Sequence, residues 1–150
     1  MRILVLIAFL AICSCKNAQS TREGGAMTTT DFEEILSGHQ SNIDEPLEEI
    51  ITSQDRLAEV FVAINSTISP KIDVPAVDFE NEIVVFVNMG YKSSGGYAVA
   101  INAVETTSDT CVISVKETAP GPTDNVTMAI TYPFTLVKLP RQDVPISFQK

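Results

Sequence analysis

Short apolar runs of strand character fill the second half of this chain, and only one segment before them keeps a helical period. Ile83–Met89 opens with Ile83-Val84-Val85-Phe86-Val87, a β-branched run that reads as a buried strand. Ala98–Val104 follows, with alternation across Tyr97–Asn102, and Val112-Ile113-Ser114-Val115-Lys116 alternates again. Val126–Thr131 and Phe134–Leu139 complete the series, with Pro133 predicting a bend, bulge or edge position between them. Turn signals separate these runs at intervals of about 8–15 residues, the rhythm of an antiparallel sandwich or barrel. Upstream, Leu47–Thr52 reads as a strand, and Phe32-Glu33-Glu34-Ile35-Leu36 fits strand or helix equally. Leu57, Val60, Phe61 and Ile64 recur at helical spacing, with Arg56, Glu59 and Asn65 largely off that face. Ser53 serves as N-cap with Asp55 in the first turn, and Asn65-Ser66-Thr67 with Pro70 stop the helix. The expected fold is mainly β, on the α+β border. It is an antiparallel β-sandwich or partly open barrel with one amphipathic helix near 54–64.

Length and charge narrow the function. The 150 residues suggest one domain, and the formal charge of −9 argues against nucleic acid, which needs a basic stripe to release counterions. The same acidity opposes electrostatic docking on anionic lipid. Any attachment to a membrane therefore needs another device, and the N-terminus offers one. Met1-Arg2 precedes the apolar run Ile3–Ile12, which is too short to span a bilayer and has the length of a signal-peptide core. Ile12-Cys13-Ser14-Cys15-Lys16 then resembles a bacterial lipoprotein lipobox, with cleavage before Cys15. The expected organisation is a signal peptide over 1–14, a flexible tether over 15–30 and one domain over 31–150. Multiple acyl chains on Cys15 would anchor the protein stably. Lys16 stands where an Asp would mark inner-membrane retention, which points to the outer membrane. The polar tether has a reach of roughly 20 Å.

Of the three cysteines, Cys13 leaves with the signal and Cys15 is lipidated, so Cys111 has no disulfide partner. Cys111 sits in an alternating strand and reads as a small buried apolar residue. The single histidine, His39, lies in the polar loop Ser37–Asn42. A Ser-His-Asp, Cys-His or zinc arrangement would have to use it, and its neighbourhood supplies no partners. Glu45, Glu48 and Glu49 lack the loop spacing of a calcium site and read as a solvated face. Gly90-Tyr91-Lys92-Ser93-Ser94-Gly95-Gly96-Tyr97 holds glycine, lysine and serine in the wrong order for a phosphate loop. Neither a small-molecule cofactor nor an enzymatic constellation is expected. That same segment reads as a long hairpin connection between its two flanking strands. Its glycines serve either the backbone of the turn or the close approach of a partner, with Tyr91 and Tyr97 as amphipathic anchors.

Three ordered motifs carry a resemblance. Gly90–Tyr97 is similar to the G-x-[KR]-x-[TS]-G-G-Y junction of the PrcB C-terminal domain family. Glu117-Thr118-Ala119-Pro120-Gly121-Pro122 resembles that family's acidic-Thr-Ala-Pro-Gly-Pro turn. Thr131-Tyr132-Pro133-Phe134 and Leu136-Val137-Lys138-Leu139-Pro140 resemble its closing segment. The likeness runs from Val84 to Arg141, with Ser94 where threonine is commoner. The family takes its name from a lipoprotein subunit of a bacterial surface protease complex. The resemblance thus implies a non-catalytic, lipid-anchored accessory of the cell envelope whose partner is a protein of the protease class. Its contact candidates are Tyr91, Ser93, Ser94, Gly95, Gly96 and Tyr97, with Pro120, Gly121 and Pro122 beside them. More loosely, Ser94–Tyr97 resembles the Thr-Gly-Tyr loop of chagasin-like protease inhibitors, which gives an alternative role as an inhibitor.

Overall fold

Ile83–Val87 is apolar throughout because both of its faces are covered. In the computed structural model, which describes residues 26–150, this run is the core of strand β4 (Glu82–Asn88). Ile83, Val85 and Val87 point toward a second sheet, and Val84 and Phe86 toward a helix. The other elements are β1 (Thr28–Thr29), β2 (Glu33–Gly38), β3 (Leu47–Ile51), α1 (Gln54–Ile64), β5 (Ala98–Thr106), β6 (Cys111–Thr118), β7 (Phe134–Pro140) and β8 (Ile146–Gln149). One sheet has the order β2-β7-β4-β3 and the other β1-β5-β6-β8. The architecture is a sandwich, the first of the two expected alternatives, with α1 as a third layer on the outside of the β4 sheet. All pairings are antiparallel except β6 with β8.

Each layer follows from sequence locally. The Ser53 side chain accepts from Arg56 N at 3.3 Å, and α1 buries Leu57, Val60, Phe61 and Ile64, as their spacing predicts. These four meet Val84, Phe86, Phe134 and Leu136. Between the sheets, Val85, Val87, Val137 and Leu139 meet Val99, Val104, Ile113 and Val115. Cys111 lies in this inner core, fully buried. The ambiguous Phe32–Leu36 segment falls largely in β2, which pairs with β7 through a register shift between Glu34 and Leu36.

The structure corrects four expectations. β4 and β5 belong to different sheets, so Gly90–Tyr97 is a crossover between layers and not a hairpin connection. Val126–Thr131 forms no strand beyond a single bridge at Thr131, and it is exposed through Ile130. A strand follows Pro145 instead: β8, whose Ile146 and Phe148 pack onto the inner core. Finally, Thr28 and Thr29 pair with Thr106 and Glu105, so the sheet begins inside the stretch assigned to the tether. Pro133 is buried immediately ahead of β7, a central strand, where its missing N–H costs no ladder bond; its carbonyl accepts from Met89 N at 2.8 Å. The signal segment, the lipobox with Cys15 and most of the tether lie outside the described residues.

Candidate functional site

Three connections converge at one end of the sandwich: 39–46 after β2, 89–97 after β4 and 119–133 after β6. Backbone bonds tie them together. Lys92 and Thr131 exchange two, at 2.8 and 3.0 Å, and Gly95 N donates to Thr127 O at 3.0 Å. Tyr91 N donates to Asp44 O at 2.9 Å, Ser41 N to Tyr132 O at 3.0 Å, and Tyr132 N to His39 O at 2.7 Å. The Thr131 hydroxyl adds a bond to Ser94 O at 2.9 Å. The crossover, the Pro120–Pro122 turn and the Thr131–Phe134 segment thus stand at the same end, in mutual contact.

The end is anchored from beneath by a buried polar group. Asn88 closes β4, accepts from the Ser41 hydroxyl at 2.7 Å and donates to Ile43 O and Glu45 O at 3.0 and 2.8 Å. Every polar atom of this amide is satisfied, which fixes the 41–46 loop against the sheet. Gly90 lies directly above, with φ 70°, and a Cβ there would sit 2.6 Å from Asp44 O. No side chain fits, so the backbone of the crossover rests on the backbone of the loop.

The candidate contact residues divide into two groups. Gly95 and Gly96 face the chain's own 119–133 connection. A Cβ on Gly95 would collide with the Thr127 hydroxyl, and one on Gly96 would lie 3.0 Å from Val126 and 3.1 Å from Pro120. The space that a partner's backbone would need is therefore filled from within. Tyr97 is half-buried on the inner core, with the Lys92 ammonium 5.6 Å from its ring centre. Lys92 Nζ also donates to Met89 O at 2.8 Å, so that cation is turned inward. Tyr91, Ser93, Gly121 and Pro122 are exposed, and Ser94 and Pro120 are half-buried. The Tyr91 ring meets Tyr132 edge-on, with centroids 6.1 Å apart. Partial desolvation first, and then the Asp44 carboxylate, push the Tyr132 phenol above its ordinary range.

The residues that sequence reasoning missed are Val126, Met128 and Ile130. Their side chains project into solvent from the 119–133 connection, Met128 almost completely, at 99% exposure. Their signal in the sequence is alternation, which predicts a strand. The remaining candidates are separated from this end or already engaged. Cys111 pairs with Thr106 at the far end of β6, whereas His39 follows β2 at the near end, so thiol and imidazole stand at opposite ends of the sandwich. Glu49 holds Arg56 through two bonds, at 2.7 and 3.0 Å, and Glu48 pairs with Lys150 at 3.2 Å. These carboxylates stabilise neighbouring elements and point to no shared ion.

Among curated proteins and among solved structures, nothing matches this chain. A family model described as PrcB C-terminal matches residues 83–140. The matched span begins in β4, ends with β7 and contains both the crossover and the 119–133 connection. It therefore holds two of the three segments that build the near end, together with the four strands at the centre of the two sheets. From Ile83 to Pro140, the chain is similar to the PrcB C-terminal family.

Proposed function

We propose that this protein is a non-catalytic, lipid-anchored accessory that associates with and stabilises a protease complex of the bacterial cell envelope. The observation that carries this reading is the family match over 83–140, the span that builds most of the near end of the sandwich. The anchor is Cys15, acylated after removal of residues 1–14, and the lipobox-like Ile12–Lys16 sequence supports it. Lys16 after the acylated residue favours the outer membrane. The near end meets the partner. No cofactor enters the role.

The test uses the tagged full chain, expressed in its own host and extracted in mild detergent. Gelatin-cleaving activity should co-purify with it, and deleting the protein should lower the amount of that activity in the envelope. Recovery of the chain alone, with envelope proteolysis unchanged by deletion, overturns the reading. Cys15→Ser should shift the protein from the detergent phase to the aqueous phase, and an unchanged partition overturns the anchor.

A further inference from the structure

We propose that Asn125–Thr131 is an exposed docking segment, which extends along an unpaired strand edge on the partner and seats Met128 in an uncharged apolar pocket beside that edge. The inference rests on the protease-complex reading for the partner's class and adds the element that makes the contact. The segment reads Val-Thr-Met-Ala-Ile-Thr after Asn125, a strand alternation, yet it lies outside both sheets. Val126, Met128 and Ile130, all of one parity, are 38%, 99% and 50% exposed. An apolar side chain left in water gains nothing from folding, and a contiguous group of them marks an interaction site.

The backbone points the same way. The segment is held on one side only, by Thr127 O on Gly95 N and by Thr131 on Lys92. Among the described residues, the N–H groups of Val126, Met128 and Ile130, which an extended backbone turns away from the Thr127 and Thr131 bonds, meet no acceptor of the protein. Those groups remain available for a ladder with another chain. Both ends are fixed, by the Gly121–Asp124 turn, where Gly121 N donates to the Asp124 carboxylate at 2.8 Å, and by the Lys92–Thr131 bridge. Docking therefore has only the short bent span around Met128 to straighten between two fixed ends.

Area and charge select the occupant. A stable complex of two rigid faces buries about 800 Å² on each partner. Val126, Met128, Ile130 and Tyr91 are only four side chains, too few for a face-to-face dimer of this end. A strand laid in a cleft is covered on both sides and adds main-chain bonds, so it needs less flat area. No charged side chain occurs between Asp124 and Lys138, although the protein carries −9 overall. The complementary site is thus uncharged, and its pocket accepts a long unbranched side chain.

Three single variants of the full chain test this in the detergent co-purification, read as gelatin-cleaving activity per mole of bait. Met128→Asp puts a charge into the pocket. Ile130→Pro removes one free N–H on the side away from Lys92 and Gly95. Val62→Asp alters another exposed apolar residue, on α1, 73% exposed. The first two should each lower recovered activity at least tenfold and the third should leave it unchanged, all with unfolding midpoints like the parent's. Full recovery by both Met128→Asp and Ile130→Pro overturns the docking segment while leaving the protease-complex reading intact. Loss by Met128→Asp alone overturns the strand pairing, and equal loss by Val62→Asp overturns the location. A parent dimer that Met128→Asp turns into a monomer overturns the choice of occupant. No activity with the parent overturns the protease reading, and this inference falls with it.

Discussion

Gly90 shows how one residue type secures the near end. Its φ of 70° is unfavourable for any side chain, and Asp44 O and Pro46 N lie 2.6 and 2.8 Å from where a Cβ would be. Gly90→Ala should lower the unfolding free energy by about 2–4 kcal/mol. At Gly121 the nearest atom to a new Cβ is an Asp124 oxygen at 3.4 Å, so Gly121→Ala should stay within about 0.5 kcal/mol. Urea unfolding followed by circular dichroism separates the two. Thr135 makes the opposite case. It is buried in β7, and its hydroxyl has no partner. Thr135→Val keeps the shape and removes the orphan, so stability should rise by about 1 kcal/mol; a fall would show that the hydroxyl is satisfied. The importance of the glycines was legible in the sequence as a conformational demand. What they face was not, because Thr127 and Pro120 reach them only through the fold.

Elements were legible where one pattern admits one structure. The helix follows from Leu57, Val60, Phe61 and Ile64 at one period behind a capping serine, and its observed bounds are Gln54–Ile64. Ser53→Ala should therefore cost about 1 kcal/mol, visible as a lower urea midpoint with an unchanged slope; no change would mean that packing alone holds the helix. The β4 run was equally clear, since an unbroken apolar strand needs cover on both faces. Val126–Thr131 misled because alternation records which side chains share a face, not whether a neighbouring strand exists. Here Pro122 and Pro133 flank a short span, and Gly95 and Lys92 bond only two of its residues. The β4–β5 connection misled for a related reason: a hairpin and a crossover between layers can share the same turn residues. β8 was missed because four residues after Pro145, with Ile146 and Phe148 only half-buried, carry little pattern. The gathering of the candidate site at one end was foreseen only as linked motifs, because its contacts join residues distant in sequence.

At the scale of the whole molecule, three layers share two strands. β4 and β7 each feed the inner core with one parity and the helix core with the other. Along the open side, Lys150 ties the layers, reaching Glu48 of β3 at 3.2 Å and Glu117 of β6 at 2.8 Å. These carboxylates, Glu117 foremost, raise the Lys150 pKa above its ordinary 10.5. A raised pKa means that the folded protein binds the proton more tightly, so this contribution is fully present at neutral pH. It is lost as pH climbs through the folded value. Lys150→Met should flatten the stability loss above about pH 10.5 without altering the profile between pH 6 and about 9; identical alkaline profiles would remove the clamp. The shared strands also predict a single unfolding transition. Ile64 lies in the helix core and Ile113 in the inner core, and a full sheet separates them. Ile64→Val and Ile113→Val should each cost about 0.5–1.5 kcal/mol, and the double variant should equal their sum within about 0.5 kcal/mol. Ser41→Ala and Asn88→Ala, whose side chains bond at 2.7 Å, should fall clearly short of additivity, because the first change already breaks what the second would remove. If either isoleucine variant instead split the melt into two steps, the helix layer would unfold apart from the sandwich. β4 and β7 would then not couple the two cores.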